Sequence, residues 1–276
     1  MAVAAGHDAV LELDARPPST WRWLRDLVAH HDVVRALAAK DFKVRYKRAS
    51  LGVLWAVALP LLQAAVIIVV FSRFARFAVE DLDYLSHVLT GMLVWSYVAL
   101  TVNSATTAIV DGAGLTDKIW FPRAALVLAP VLANLVGFLV TAAVVVPVTV
   151  LRGHCGVRTL LVVPAALLLL ALVLSLCLVT SALQVWFRDV KFIVQAGLLV
   201  LLYATPVIYP LDVLGDLADV VRLNPFTGVL ALVRTALVEE PFDEVAVAAA
   251  LAWTVALGVL GTQLHRRGDR RFVDLL

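Results

Sequence analysis

Residues 159–187 read TLLVVPAALLLLALVLSLCLVTSALQVWF, a run without a single Asp, Glu, Lys, Arg or His. About 20 apolar residues cross a hydrocarbon core of roughly 30 Å as a helix, so the run is long enough to span a bilayer. It lacks the alternation of a barrel strand, and a backbone in lipid must satisfy its own hydrogen bonds, which leaves the α-helix. Five further uncharged runs lie around it: Leu51 to Phe71, Val88 to Val110, Ala124 to Leu151, Phe192 to Leu211 and Val245 to Leu264. The 276-residue chain is 62% hydrophobic with a mean hydropathy of +0.93, far outside the range of soluble domains. The expectation is an all-α integral membrane protein. One membrane domain covers residues 1–276: a cytoplasmic leader over 1–48, six transmembrane helices within 51–264, and a cytoplasmic tail over 265–276. Pro130, Pro147 and Pro164 are expected near helix ends or at kinks.

The connections set the orientation, because Lys and Arg resist translocation whereas acids have little influence. With the N-terminus cytoplasmic, 17 of the 23 basic residues lie on that side: the leader, Lys118, Arg123, Arg188, Lys191 and the tail. The opposite side carries the remaining six, Arg73, Arg76, Arg152, Arg158, Arg222 and Arg234. Both ends are therefore expected on the cytoplasmic side of the membrane. Acids, prolines and His7 precede any apolar run, so a cleavable signal peptide is not indicated.

The prolines of Pro17-Pro18-Ser19-Thr20 stop any earlier helix, and Ser19 or Thr20 can cap the next, which should start near Trp21. Trp21, Leu24, Leu27, Val28, Val34 and Leu37 recur at helical spacing with charges between them, the pattern of an amphipathic helix at the cytoplasmic interface. Lys40 to Arg48 then forms a basic run directly before the first span, which ordinarily records topology and lipid contact. The stretch from Asp212 to Glu244 carries seven acids and two arginines. Its apolar pieces are too short to cross, and Asn224-Pro225 and Gly228 interrupt them, so short helices outside the membrane are expected between spans five and six.

Several chemistries are excluded or weak. The Gly-x-x-x-x-Gly-Lys-Ser/Thr signature is absent, so this chain is not expected to hydrolyse ATP. Cys155 and Cys177 form neither a disulfide framework nor a zinc spacing. No nucleic-acid footprint and no metal site are expected; His87, Glu239, Glu240, Asp243 and Glu244 lack a ligand spacing. The uncharged cores of the spans argue against an ion relay. Glu80, Asp81 and Asp83 are the best candidates for enzymatic work, as a base toward a lipid-linked sugar, although a solvated loop is the plainer reading. Trp55, Phe71, Trp95, Tyr97, Trp186, Phe187, Tyr203 and Tyr209 lie in or at the ends of spans, where belting or packing is usual. Trp55, Phe71, Tyr203 and Tyr209 are the candidates for a channel surface, since aromatic faces stack on pyranose C–H groups without a fixed register.

Four motifs resemble a known family. Asp41-Phe42-Lys43-Val44-Arg45-Tyr46-Lys47, followed by Ser50-Leu51-Gly52-Val53-Leu54-Trp55 and Pro60, reads like that family's approach to its first span. Lys118-Ile119-Trp120-Phe121-Pro122-Arg123 is similar to its cytoplasmic segment between spans two and three. Arg188-Asp189-Val190, with Thr205-Pro206-Val207-Ile208-Tyr209 and Asn224-Pro225-Phe226, completes the pattern. Over Trp21 to Leu276 the chain resembles the permease subunit of ABC-2 type polysaccharide exporters, the group that exports O-antigen, teichoic acid and cell-wall galactan precursors.

The resemblance implies a non-enzymatic homodimeric permease joined to two copies of a separate ATPase, which would bind the ATP and Mg. A lipid-linked glycan would pass through a channel between the copies. It implies that Gly114 to Arg123 forms or flanks a coupling helix, with Leu115, Asp117, Lys118, Trp120, Phe121, Pro122 and Arg123 at the ATPase. Trp120 and Phe121 would be the aromatic anchor within a charged rim. Lys43, Arg45, Tyr46, Lys47, Arg188 and Asp189 would mark the cytoplasmic mouth, and Asn224, Pro225 and Phe226 the extracytoplasmic gate.

Overall fold

A computed structural model describes residues 19–47, 49–71, 83–116, 120–152 and 156–269. Ser19 opens the first helix, α1 (Thr20–Ala29), by accepting a hydrogen bond at Oγ from the Arg22 amide, 3.2 Å, as a cap should. The expected interface helix is broken at His30, where the backbone leaves helical geometry and α2 (His31–Tyr46) begins. The His30 Nδ1–H donates back to the Asp26 carbonyl, 2.7 Å, and closes the end of α1. The break lets α2 leave the line of α1 and pack along α6, with Val34 among Phe121, Ala125 and Leu126.

Five helical stretches are long and apolar enough to cross a membrane: Gly52–Val70, Tyr84–Asp111, Ala124–Leu151, Val157–Trp186 and Glu244–Gly268. Their α-helical parts are α3 (Trp55–Val70), α4 (Tyr84–Asp111), α6 (Ala124–Leu151), α7 (Val162–Trp186) and α11 (Glu244–Gly268); the four-residue α5 (Ala113–Thr116) follows α4. Pro60 lies inside α3, Pro130 and Pro147 inside α6, and Pro164 in the first turn of α7.

The fifth expected span is the exception. Its helix, α8 (Val190–Ala204), has 15 residues and reaches about 22 Å at ~1.5 Å per residue, less than a hydrocarbon core. The helix stops because Thr205 precedes Pro206 and is held extended, φ −108° and ψ 139°, the region that a following proline imposes.

Cross-helix contacts give the directions. α4 and α6 are antiparallel, with Thr101 and Ser104 facing Asn134 and Asp83 facing Arg152. α7 and α11 are parallel: Ser175 and Leu178 meet Gly258 and Gly261, and Leu178 and Ser181 meet His265. The start of α1 and the end of α11 share one end of the bundle, joined by Arg266 Nη1 to Thr20 Oγ1 at 2.6 Å. α8 carries the chain from the far end of α7 back to the level of Tyr84, whose hydroxyl donates to the Ile208 carbonyl, 3.0 Å.

Between α8 and α11 lie a 3-10 segment (Leu211–Leu217), α9 (Ala218–Arg222) and α10 (Pro225–Leu237). Nearly all of α10 is buried against α4, α7 and α11. Gly228 makes this possible, since a Cβ there would stand 2.0 Å from the Ala246 carbonyl oxygen. The apolar core joins α4, α7 and α10, with Val98, Leu172 and Val229 fully enclosed. α3 and α11 leave most of their surface outside it.

Candidate functional site

A cleft of about 850 Å³ opens between α3, α4 and α6. Trp55, Trp95, Tyr97 and Phe138 supply its aromatic wall, and Gln63, Ser96, Asn103 and Asn134 its polar groups. Tyr97 is set by its hydroxyl donating to the Val131 carbonyl, 3.2 Å, and by Phe138, whose ring lies 5.2 Å away. Of the four aromatics expected to line a channel, Trp55 is in this cleft. Phe71 packs on the core at the end of α3, Tyr203 is exposed, and the Tyr209 hydroxyl donates to the Tyr203 carbonyl, 2.8 Å.

Arg45 belongs to the basic run that the hydropathy places outside the membrane, yet it reaches into the cleft. Its guanidinium donates to Asn134 Oδ1 in the interior of α6, while Asn134 Nδ2 donates to Thr101 Oγ1 and Ser104 Oγ, each at 3.2 Å. Tyr46 lines the same cleft beside Phe42, 5.1 Å between rings; Lys43 and Lys47 are exposed. Burial holds the Asp41 carboxyl above its ordinary range even against Lys40 and Arg45. Hydropathy has no way to signal that Arg45 lies inside, because the signal is Asn134 on a different helix.

The loop before α6 divides its aromatics. Trp120 is 74% exposed and stands edge-on to His30, 5.5 Å between rings. Phe121, expected beside it as an anchor for a partner, is 4% exposed and fills the Val34, Ala125 and Leu126 cluster, with Leu115 at its edge. Pro122 is buried. Arg123 is tied to the end of α11, its Nη1 donating to the Asp269 carbonyl and lying 3.2 Å from the Asp269 carboxylate. Burial raises the Asp269 carboxyl, outweighing Arg123. Asp117 and Lys118 lie outside the described residues. At the same end, Gln184 closes the turn that carries Arg188 and Asp189: its amide donates to the Arg188 carbonyl, 3.0 Å, and its Oε1 accepts from the Lys191 amide, 2.7 Å. Both Arg188 and Asp189 are exposed.

The opposite, acidic end is built around Arg234, which the sequence marks only as one of the basic residues outside. Arg234 on α10 is buried and donates through Nη2 to the His87 and Val207 carbonyls, 3.3 and 3.2 Å. Gly91 gives it room: a Cβ there would meet the Val207 oxygen at 2.7 Å. His87 Nδ1 pairs with Glu240 Oε1 at 2.7 Å. Burial lowers the Arg234 guanidinium to about 10. Burial by itself would raise the Glu240 carboxyl, but His87 and Arg234 together hold it below its ordinary value. Asn224 caps α10 by accepting from the Phe226 amide and fastens it to α8 by donating to Thr205 Oγ1, 2.9 Å. Pro225 opens the helix, and Phe226 is buried edge-on to Trp95. Asp83, proposed as a base, is engaged by Arg152 Nε at 2.6 Å and Ser86 Oγ at 2.5 Å; Glu80 and Asp81 lie outside the described residues. Among the described residues no group of three or more His, Cys, Asp or Glu is placed to hold a metal.

The sequence pattern of the ABC-2 type transporter family matches residues 32–238, which takes in α2 through α10. The chain belongs to the ABC-2 type transporter family. This ABC-2 chain is 25% identical over 248 residues to the O-antigen export system permease protein RfbA of Klebsiella pneumoniae, covering 89% of this chain and 95% of that one. It is 27% identical over 213 residues to the protein of the same name from Myxococcus xanthus, covering 76% and 81%. A second Klebsiella pneumoniae RfbA is 24% identical over 248 residues, covering 89% and 95%. The ABC-2 match includes the Arg45 cleft and Arg234 itself but stops before Glu240.

Proposed function

We propose that this chain is the channel-forming permease of an ATP-driven exporter that moves a lipid-linked polysaccharide or cell-wall glycan precursor across the cytoplasmic membrane. The observation that carries the reading is the likeness to O-antigen export permeases over 89% of the chain. The cleft fits it: aromatic faces with scattered amides and hydroxyls suit a repeating polyol, while a lone Arg45 at one end suits an anionic carrier group. Six crossings with both ends inside agree with the five long helices, with α8 as the return, and with α1 and α11 sharing one end. Thr205 to Tyr209 would complete the distance that α8 leaves short.

Two copies of the chain, joined to two copies of a nucleotide-binding subunit, complete the proposed complex. Exposed Trp120 beside His30 is the natural contact for the ATPase, and buried Phe121 braces it from behind. Co-purification tests this: the chain should bring down a nucleotide-binding subunit, and Trp120→Ala should weaken that association and abolish export while leaving the chain folded. An unchanged association and unchanged export in Trp120→Ala would sink the coupling assignment.

A further inference from the structure

At the acidic end, α10 turns one face toward a second pocket of about 880 Å³, a size within the roughly 300–1,000 Å³ of small-ligand sites. Thr227, Ala231 and Arg234 form that face, at helical spacing. Thr227 is 1% exposed, and its hydroxyl has no hydrogen-bond partner among the described residues. A helical threonine ordinarily donates to a carbonyl three or four residues back. Here the Leu223 carbonyl accepts from Trp253 Nε1, 3.1 Å, and the Asn224 carbonyl from the Thr227 amide itself, 3.0 Å. Arg234 is 3% exposed, and its Nε likewise has no partner among the described residues. Thr227 and Arg234 thus border the pocket from one helix face, each with an enclosed polar atom whose hydrogen bond the described residues do not meet.

Around this floor the lining carries Asp212, Glu239, Glu240 and Glu244 as acceptors, and Phe242, 49% exposed, as an aromatic wall. An anion is repelled by these carboxylates. A simple cation satisfies the carboxylates but is repelled by the Arg234 guanidinium and cannot accept from its Nε–H. A hydroxyl both donates and accepts, so a polyol meets both demands, and the C–H face of a pyranose suits Phe242. We propose that this pocket is a saccharide-binding site for sugar units without acidic groups, with Thr227, Arg234 and Glu240 as its polar floor and Phe242 as its stacking wall. The proposal rests on the polysaccharide reading for the source of the sugar, and places a recognition site at the exit face, apart from the cleft.

The test uses the full chain in lipid nanodiscs, with no ATP and no partner subunit. Galactobiose, cellobiose and mannobiose are titrated by saturation-transfer NMR, with digalacturonic acid as the acidic counterpart of the first. At least one neutral disaccharide should bind below about 10 mM, and digalacturonic acid about tenfold more weakly or not at all. Thr227→Val, which removes only an unpartnered hydroxyl, should keep the melting temperature and weaken binding about 3- to 10-fold. Phe242→Ala, at an exposed position, should do the same. The proposal is overturned if no neutral disaccharide binds, if digalacturonic acid binds equally well, or if both variants leave the affinity unchanged. Sugar binding without ATP-driven export would sink the exporter reading and leave this site standing; export without sugar binding would do the reverse.

Discussion

The guanidinium of Arg45 donates a hydrogen bond to Oδ1 of Asn134, joining the basic run before the first span to the interior of α6. Asn134 in turn donates to Thr101 and Ser104 of α4, so one amide links three helices at the mouth of the cleft. Among the described residues no carboxylate lies within ion-pair distance of Arg45, and a partly buried charge in that state depends on its hydrogen bonds.

Replacing Asn134 by Leu should therefore destabilise the chain by about 1–3 kcal/mol, the cost of leaving buried polar groups unmet. Arg45→Gln, which retains a donor but no charge, should cost less. The two changes together should be non-additive in thermal unfolding of the detergent-solubilised chain, as expected of residues in contact. Additive losses would show that the bond contributes nothing.

Trp120 and Phe121 should separate function from stability. Phe121→Ala empties a buried site and should cost roughly 3–5 kcal/mol, visible as a lower melting temperature. Trp120→Ala, at an exposed ring, should leave the melting temperature nearly unchanged and lose export.

The glycines at the helix crossings should differ by what a new methyl group meets. Gly228→Ala would drive Cβ into the Ala246 backbone at 2.0 Å, and overpacking of this kind should cost 1–3 kcal/mol or more, by order of magnitude. At Gly258 the nearest atom is Ser175 Oγ, 3.1 Å away, which can rotate, so Gly258→Ala should be mild. Gly197 has open space around it, and Gly197→Ala should be neutral or should stabilise by about 0.5–1 kcal/mol. Melting temperatures of the three variants in detergent would rank them.

Glu240 should make the acidic end sensitive to acid. Its carboxyl titrates below the ordinary value of 4.5 in the folded chain, so the unfolded chain binds the proton first and stability falls as pH drops. The stabilisation is complete above pH 4.5 and is lost as the pH falls through the lower folded value. In Glu240→Gln the melting temperature should be lower than wild type near pH 7, and the gap should narrow toward pH 4 and below. A gap that widened on acidification would contradict the assigned direction.

Ala124–Leu151 was legible in the sequence to the residue, and Tyr84–Asp111, Val157–Trp186 and Glu244–Gly268 to within a few residues, because hydropathy is a local property and lipid forces every long apolar run into a helix. A cap at Ser19 or Thr20 was legible for the same reason, and the structure uses Ser19. α8 was read too long because Phe192 to Leu211 stays uncharged past Pro206, and hydropathy does not weigh the restriction that proline places on Thr205. The expected site residues divide likewise. The family resemblance marked Trp120 and Phe121 as a pair, but only their neighbours decide that one ring faces out and the other rests on Val34.

By itself the sequence determined a membrane-embedded helical chain, the near-boundaries of its long helices, and its motif resemblance to ABC-2 permeases, since each follows from residue type and spacing along the chain. Tertiary structure alone decided that Arg45 enters the cleft on Asn134, that α10 is wedged into the core by Gly228, and that Thr227 and Arg234 share a pocket with Asp83 and Pro206. Each of these depends on the distance between segments far apart in sequence, and that distance is set by packing rather than by local preference.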